Sequence, residues 1–373
     1  MTVRVVAPHN YAATHPEATI RYHASDMCLH IHSDASYMSE PNARSRAGGF
    51  FFLSSHPDSS PAPLLNGPVH VVSNILRNVM SSVAEAEVGA LFHNGQEACP
   101  IRTALVGYGS VAEKMHAPLI DVCPDLDLVA VVERKSNKCA EKFPKVRTFR
   151  SLEELLEADF VDLICITTPN EFHFPMAKQC LLAGKHVVVD KPVTVNSWEA
   201  EELLQIANEK GLLCSVFHNR RYDGDFRTLQ KIIAENTLGR LVYLESHFDR
   251  FRPQVTENWR EKDVPGNGIT YDLGVHLIDQ IVVAFGAPDR IFADIQKQRK
   301  NAISDDYFDI SLFYPDFKAR VTAGVLVNVA TPKFLLLGEK GSYQKFFLDV
   351  QEQAFKDGRK PEGENWGIEP EER

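Results

Sequence analysis

Lys191, Asp272 and His276 are the side chains of this sequence best suited to moving a proton. Asp272 and His276 stand four residues apart in the stretch Gly266–Asp279, which reads as the opening of a helix. At that spacing both project from one side of the helix. An acid beside an imidazole, with a lysine in reach, suits proton transfer at an alcohol or carbonyl oxygen. Lys191 lies in Asp190-Lys191-Pro192, directly after an apolar strand, where a proline-fixed turn can point the ammonium into a cleft. Each piece also has a plainer reading, a structural hydrogen bond for the pair and a surface turn for the lysine.

What lies upstream names a partner for such chemistry. Arg102-Thr-Ala-Leu-Val-Gly-Tyr-Gly-Ser-Val-Ala112 reads as a buried strand, a turn of the form Gly107-x-Gly109-x-x-Ala112, and a helix start. Gly107 permits the tight turn, Gly109 lets the backbone approach a pyrophosphate, and Ala112 allows close packing of helix on sheet. Free N–H groups at the helix start, through Ser110 and Val111, favour the anion. The next strand ends at Glu133-Arg134-Lys135. An acid there can accept from the ribose hydroxyls of NAD, whereas Arg134 and Lys135 can hold the 2′-phosphate of NADP, and both readings stay open. A further strand ends in Thr167-Thr168-Pro169-Asn170-Glu171-Phe172-His173, at the carboxyl edge where ligands of such sheets bind.

These residues need an α/β frame. Residues 101–217 alternate candidate strands (102–106, 128–132, 162–166, 186–189, 212–216) with candidate helices (110–121, 151–157, 172–183, 197–210). That alternation predicts parallel βαβ units with right-handed crossovers, a Rossmann domain. Residues 218–373 read differently, with helices near 224–236 and 269–285 and strands near 241–250, 290–298, 306–314, 318–328 and 333–347. The order predicts an α+β domain on a largely antiparallel sheet. Residues 1–100 are rich in Ser, His and Pro.

Composition narrows the function. Of 373 residues 44% are hydrophobic and 24% charged, as expected of a globular protein, and the net charge of −10 argues against a nucleic-acid-binding surface. No apolar run is long enough for a bilayer and the start lacks a signal-peptide core, so a cytoplasmic protein without membrane contact is expected. The seven scattered cysteines form no C-x-x-C pair, which predicts reduced thiols and no metal site.

Taken together, the glycine loop, Thr168-Pro169-Asn170 with His173, Asp190-Lys191-Pro192 and the Asp272/His276 pair resemble the Gfo/Idh/MocA oxidoreductase family over residues 101–373. The segments Ser215–Asp223 and Glu245–Pro253 resemble its scyllo-inositol dehydrogenase branch. The resemblance implies hydride transfer between NADP or NAD and a polyol or sugar hydroxyl. It implies that Lys191 stabilises the reacting oxygen, His276 is the acid and base, and Asp272 holds substrate hydroxyls or orients His276. Asn219 would lie by the nicotinamide, and Arg220, Arg221 and Tyr271 by the substrate. A second copy, joined through the C-terminal sheet, is the expected macromolecular partner. The sequence departs from the family in having Asp190 for the usual Glu and in stopping soon after Gly367, which implies a shortened C-terminal domain. A nucleotide-binding regulatory protein without turnover is the alternative on the same fold.

Residues 25–100 resemble something else. Leu29–Tyr37, Arg44–Leu53 and Ser81–Leu91 are similar to the RNase H domain of a retrotransposon polyprotein, with Asp34 and Glu87 matching two of its metal-binding carboxylates. Two-metal cleavage needs the full acidic set, so no nuclease activity is expected from this partial segment.

Overall fold

The computed structural model describes residues 100–370 and, among the first 99, the backbone of five strands. These are β1 (Thr2–Val3), β2 (Ile20–Arg21), β3 (Cys28–Glu40), β4 (Arg44–Ser54) and β5 (Pro68–Ile75). β1 pairs with β2, and β3-β4-β5 form an antiparallel sheet in which Asp34 lies opposite Gly48. Glu87 lies outside the described residues. The chain divides into two compact units, Met1–Pro100 and Ile101–Arg373.

The second unit opens with β6 (Ile101–Val106), whose register partners are parallel strands on both sides. With β7 (Leu126–Val132), β8 (Arg147–Phe149), β9 (Leu163–Ile166), β10 (His186–Asp190) and β11 (Cys214–Phe217) it makes an all-parallel sheet of order β11-β10-β9-β6-β7-β8. The chain order reverses between β6 and β9, and the crevice outside the carboxyl ends at such a switch point is where ligands of open sheets bind. Side-chain alternation fills both faces. Ala104, Val106, Ile164 and Ile166 pack to one side with Leu181 and Leu203, while Leu105, Leu163 and Cys165 pack to the other with Ala117 and Ile120. The covering helices are α1 (Ala117–Val122), α2 (Lys138–Lys142), α3 (Leu152–Glu157), α4 (His173–Leu182) and α5 (Ser197–Lys210). A π-turn, Ala112–His116, leads into α1, and a capping box of Asn196 and Glu199 starts α5. β8 and α2 carry no pattern long enough to be read from sequence.

The second domain holds α6 (Gly224–Ala234), β12 (Leu241–His247), α7 (Val275–Phe285), β13 (Arg290–Gln296), β14 (Tyr307–Phe313), β15 (Lys318–Gly324), β16 (Phe334–Gly338), β17 (Gly341–Lys345) and α8 (Val350–Lys356). Its sheet has the order β13-β14-β15-β12-β16-β17 and is mixed, because β12 enters between β15 and β16 and runs parallel to β15. The predicted single strand over 333–347 is two strands, since Glu339-Lys340 turn the chain so that Gly338 faces Gly341. One face of the sheet buries Phe308, Ile310, Val321 and Leu336 against Phe226 and Leu229 of α6 and Leu277 and Ile281 of α7. That packing fixes the first turn of the helix carrying Asp272 and His276.

Candidate active site

A cleft of about 800 Å³ runs from the carboxyl edge of the parallel sheet to the start of α7. Its lining includes Gly107, Gly109, Ser110, Val111, Glu133, Arg134, Thr168, Pro169, Asn170, Asp190, Lys191, Asn219, Arg220, Asp272 and His276. The sequence motifs thus meet in one place, although they are spread over 170 residues (from 107 to 276).

The glycine loop fits an extended phosphate. Gly107 adopts φ +91°, where a side chain would be strained, and a Cβ there would approach the Thr167 carbonyl oxygen to 3.2 Å. A Cβ on Gly109 would meet nothing within 4 Å, so its backbone faces open space. The first helical bond of the turn runs from the Glu113 N–H to the Gly109 carbonyl at 2.9 Å. The N–H groups of Ser110, Val111 and Ala112 precede it and have no partner within the helix, as an anion site requires. These residues fit the pyrophosphate of a dinucleotide.

At the far end of this wall Glu133 is buried, and each of its carboxylate oxygens accepts a hydrogen bond. It accepts from Ser136 Oγ at 2.6 Å and from the Cys139 N–H at 3.0 Å, which ties it to the start of α2. The ribose-binding role considered for Glu133 therefore competes with a structural one. Arg134 lines the cleft beside it with Ser136 and Arg150, whereas Lys135 is exposed and outside the lining.

The reacting end is made of charge. The Lys191 ammonium donates to the Asp272 main-chain oxygen at 2.6 Å and to Oδ1 at 3.1 Å. The Asp190 carboxylate accepts from the Lys191 N–H at 2.8 Å and so braces the lysine turn. Arg260 Nε lies 3.5 Å from Asp272 Oδ1, and Arg250 Nη1 lies 3.8 Å from Oδ2. Burial pushes the Asp272 carboxyl up, but Lys191, Arg260 and Arg250 outweigh it and hold the group below its usual range. His276 is buried with Nδ1 unpartnered. Burial first, then Lys191, Arg220 and Lys333, push its pKa well below the ordinary 6.5, so the ring is neutral at pH 7 and able to accept a proton.

The loop before α7 sets this geometry. Gly268, at φ +92°, passes so close to Asp305 that a Cβ could not fit. Asp305 Oδ2 then accepts from the Thr270 N–H at 2.8 Å and the Thr270 hydroxyl at 2.7 Å, starting the π-turn Thr270–Gly274 that presents Asp272. Asn170 Nδ2 donates to the Gly266 carbonyl at 2.5 Å, joining this loop to the parallel-sheet domain. His173 works from behind, its ring nitrogens 2.7 Å from the Pro192 oxygen and 2.8 Å from the Thr168 oxygen, while Ala112 is buried in the helix turn.

Two expected substrate contacts lie elsewhere. Arg221 is outside the lining because Asp279 takes its guanidinium in two bonds of 2.8 and 2.6 Å. Tyr271 is outside it because successive helical residues diverge, and its hydroxyl donates to the Val195 oxygen at 3.3 Å. Arg220 does line the cleft but is tied to Asp223 and, from α8, to Glu352. Burial raises the Glu352 carboxyl, yet Arg220 and Lys356 prevail and bring it to about 2. Sequence reading missed Arg250, Trp259, Arg260 and Glu352, which sit in irregular loops or a short helix. The spacing Asp249-Arg250 with Trp259-Arg260 was the available signal, a charged and aromatic loop too polar for core. Among the described residues no cluster of side chains could hold a metal ion, and no helix is long and apolar enough to cross a membrane.

Two family models match the chain. Residues 101–218 match the oxidoreductase family with an NAD-binding Rossmann fold, and residues 226–344 match the GFO/IDH/MocA C-terminal domain. The chain is 44% identical to the uncharacterized oxidoreductase YdgJ of Escherichia coli, over 72% of this chain and 78% of that protein. It is 37% identical to the scyllo-inositol 2-dehydrogenase (NADP(+)) IolW of Bacillus subtilis, over 72% and 75%. A solved oxidoreductase from Bacillus cereus superposes with a TM-score of 0.68 at 30% identity, covering 73% of this chain and 78% of that one.

Proposed function

The chain belongs to the NAD(P)-binding Gfo/Idh/MocA oxidoreductase family, and from that premise we propose that it moves a hydride between NADP and the CH–OH carbon of an inositol-like polyol or sugar. The observation that carries this reading is the convergence of Lys191, Asp272 and His276 on the cleft lined by Gly107–Val111. Gly107, Gly109, Ser110 and Val111 would hold the pyrophosphate, Arg134 with Ser136 a 2′-phosphate, and Thr168, Pro169, Asn170, Asp190 and Asn219 the ribose and nicotinamide. The bound nicotinamide supplies the hydride acceptor or donor. Lys191 has three N–H donors, directs two at Asp272, and keeps one for the reacting oxygen. Its charge stabilises that oxygen as alkoxide character develops. His276, neutral at pH 7, takes the hydroxyl proton in oxidation and returns it in reduction.

The test is turnover of inositols and sugars by the full chain with NADP and NAD, followed by nicotinamide absorbance. Oxidation of at least one polyol, lost in His276→Ala, is the expected result. Saturable dinucleotide binding with no turnover of any polyol or sugar would favour the regulatory reading.

The same proposal includes self-association through the second sheet, whose edge strand β13 exposes Ile291, Phe292 and Ile295. Light scattering at a dimer mass supports it, and a monomer refutes it. Residues 1–100, with their RNase H likeness and only Asp34 and Glu87 of the acidic set, are assigned no part in the chemistry. A chain beginning at Pro100 should titrate NADP as the full chain does.

A further inference from the structure

Three cations meet on the single carboxylate of Asp272: Lys191 at 3.1 Å, Arg260 at 3.5 Å and Arg250 at 3.8 Å. The lysine is hydrogen-bonded there, but among the described residues neither guanidinium makes a side-chain hydrogen bond, and their ion pairs are long. Each instead lies over an aromatic ring, Arg250 over Phe248 at 5.2 Å and Arg260 over Trp259 at 4.5 Å. A cation–π contact of this kind uses none of the five guanidinium N–H donors. Both arginines line the cleft beside His276 and Lys191. Arg220, the other arginine at this end, differs in having Asp223 and Glu352 as partners. This end of the cleft therefore keeps two guanidinium groups with no side-chain hydrogen-bond partner among the described residues, and three cations around one carboxylate.

From this we infer that the substrate is a polyol or sugar carrying an anionic group, a carboxylate or a phosphate, which Arg250 and Arg260 bind while Lys191 and His276 act on a neighbouring hydroxyl. The inference rests on the hydride-transfer reading above and narrows its substrate. A planar carboxylate or a phosphate matches the guanidinium fork, which a neutral hydroxyl does not fill. Oxidation is balanced by the reaction already proposed: the hydride passes to the nicotinamide, the hydroxyl proton to His276, and the anionic group stays unchanged. Lys191 already gives two of its donors to Asp272, whereas the two guanidinium groups make only long ion pairs with it, so the donors left for an anion are mainly those of the arginines.

The experiment compares kcat/KM on the NADP-loaded full chain for matched pairs: glucose against glucuronate and gluconate, and glucose against glucose 6-phosphate. The anionic member should exceed the neutral one by roughly 10- to 100-fold, the effect of one charge-assisted pairing. Glucuronate or gluconate leading identifies a sugar acid, and glucose 6-phosphate leading identifies a sugar phosphate. Arg260→Gln and Arg250→Gln should each collapse that ratio through KM for the anionic member. Arg260 is half-exposed, so its variant keeps the test valid where loss of the more buried Arg250 impairs folding. A neutral member equal to or better than every anionic partner overturns the inference, as does a ratio unchanged in Arg260→Gln. Where none of these turns over but an inositol does, the inference is overturned, and where inositols fail as well, the hydride-transfer reading fails instead. Fluorescence of Trp259 beside Arg260 then decides the anion site separately: saturable quenching by glucuronate or glucose 6-phosphate but not by glucose supports it, and identical responses refute it.

Discussion

The two walls of the cleft are built from different materials. The wall at Gly107–Val111 offers backbone: a turn with no side chain in the way, N–H groups at a helix start, and a Gly109 whose missing Cβ leaves open space. The opposite wall offers charge: Lys191, Arg250, Arg260 and Asp272 from four separate segments, with His276 kept neutral among them. A backbone site tolerates almost any neighbour but no added carbon. A charge site tolerates added carbon but no missing partner, because the protonation of Asp272 and His276 depends on the cations around them. On the proposed reading the first wall would hold the dinucleotide, and the second would select the substrate and react with it.

The sharpest way to break this contrast is to remove one group from each wall. Lys191→Ala should lower kcat by roughly 10²–10⁴-fold, the range for a positioned proton-transfer or oxyanion group, with dinucleotide affinity nearly unchanged. Stopped-flow turnover and a binding titration check both halves. An unchanged kcat would remove the lysine from the reaction. Gly109→Val adds two carbons and a branch to the other wall. It should raise the dinucleotide Kd about tenfold or more while leaving Tm within about 2 °C, since its Cβ meets no protein atom within 4 Å. Equal Kd in the variant would show that the dinucleotide passes elsewhere.

The same contrast explains what could be read from sequence. The backbone wall is local: Gly107, Gly109 and Ala112 are neighbours in the chain, and alternating apolar strands around them specify the sheet that positions them. The helix pair Asp272/His276 and the turn at Lys191 were also local enough to recognise, but their meeting is a property of the fold. Arg250 and Arg260 escaped because loop residues have no period, and only the fold sets them over Phe248 and Trp259. Arg221 and Tyr271 lie outside the lining for the opposite reason. Adjacent residues on a helical turn point in different directions, and Asp279 and Val195 claim them. The hairpin inside 333–347 was hidden because Glu339-Lys340 lacks the Asn-Gly or Asp-Gly signature of a two-residue turn, and the second strand, Gly341–Lys345, is polar and short.

A pH series sharpens the charged wall. His276 is pushed below 6.5 by burial and by its cationic neighbours. In the window between its folded value and 6.5 the unfolded chain carries a proton that the folded chain lacks. Stability is then complete above about pH 6.5 and is lost as pH falls through that window, since the unfolded state binds more protons. Oxidation should keep a flat kcat/KM from neutral pH down past 6.5 and then fall about tenfold per pH unit, as a single essential base requires. An inflection at or above 6.5 would mean that the base is another group. Removing a cationic neighbour tests the cause: Lys333→Met takes away one of these charges and leaves the larger cause, burial, intact, so the inflection should stay below 6.5.

The smallest expected effect lies at the rim of the backbone wall, where cofactor choice is made. Glu133 lines the cleft but accepts from Ser136 and the Cys139 N–H, so a ribose hydroxyl would share its carboxylate with two internal donors. Arg134 is exposed, lines the cleft and has no competing ion pair among the described residues. Arg134→Ala should therefore weaken NADP about 3- to 10-fold and leave NAD unchanged, a modest effect because an exposed pairing is screened by water and salt. Raising ionic strength in the unaltered protein should erode the preference for NADP in the same direction. If NAD binds more tightly than NADP at every salt concentration, Glu133 must exchange its two internal partners for the ribose, and the start of α2, which depends on them, should lose order at the same time. Amide hydrogen exchange at Cys139 with and without NAD separates the two arrangements: protection kept on binding leaves Glu133 as the cap, and protection lost makes it the ribose ligand.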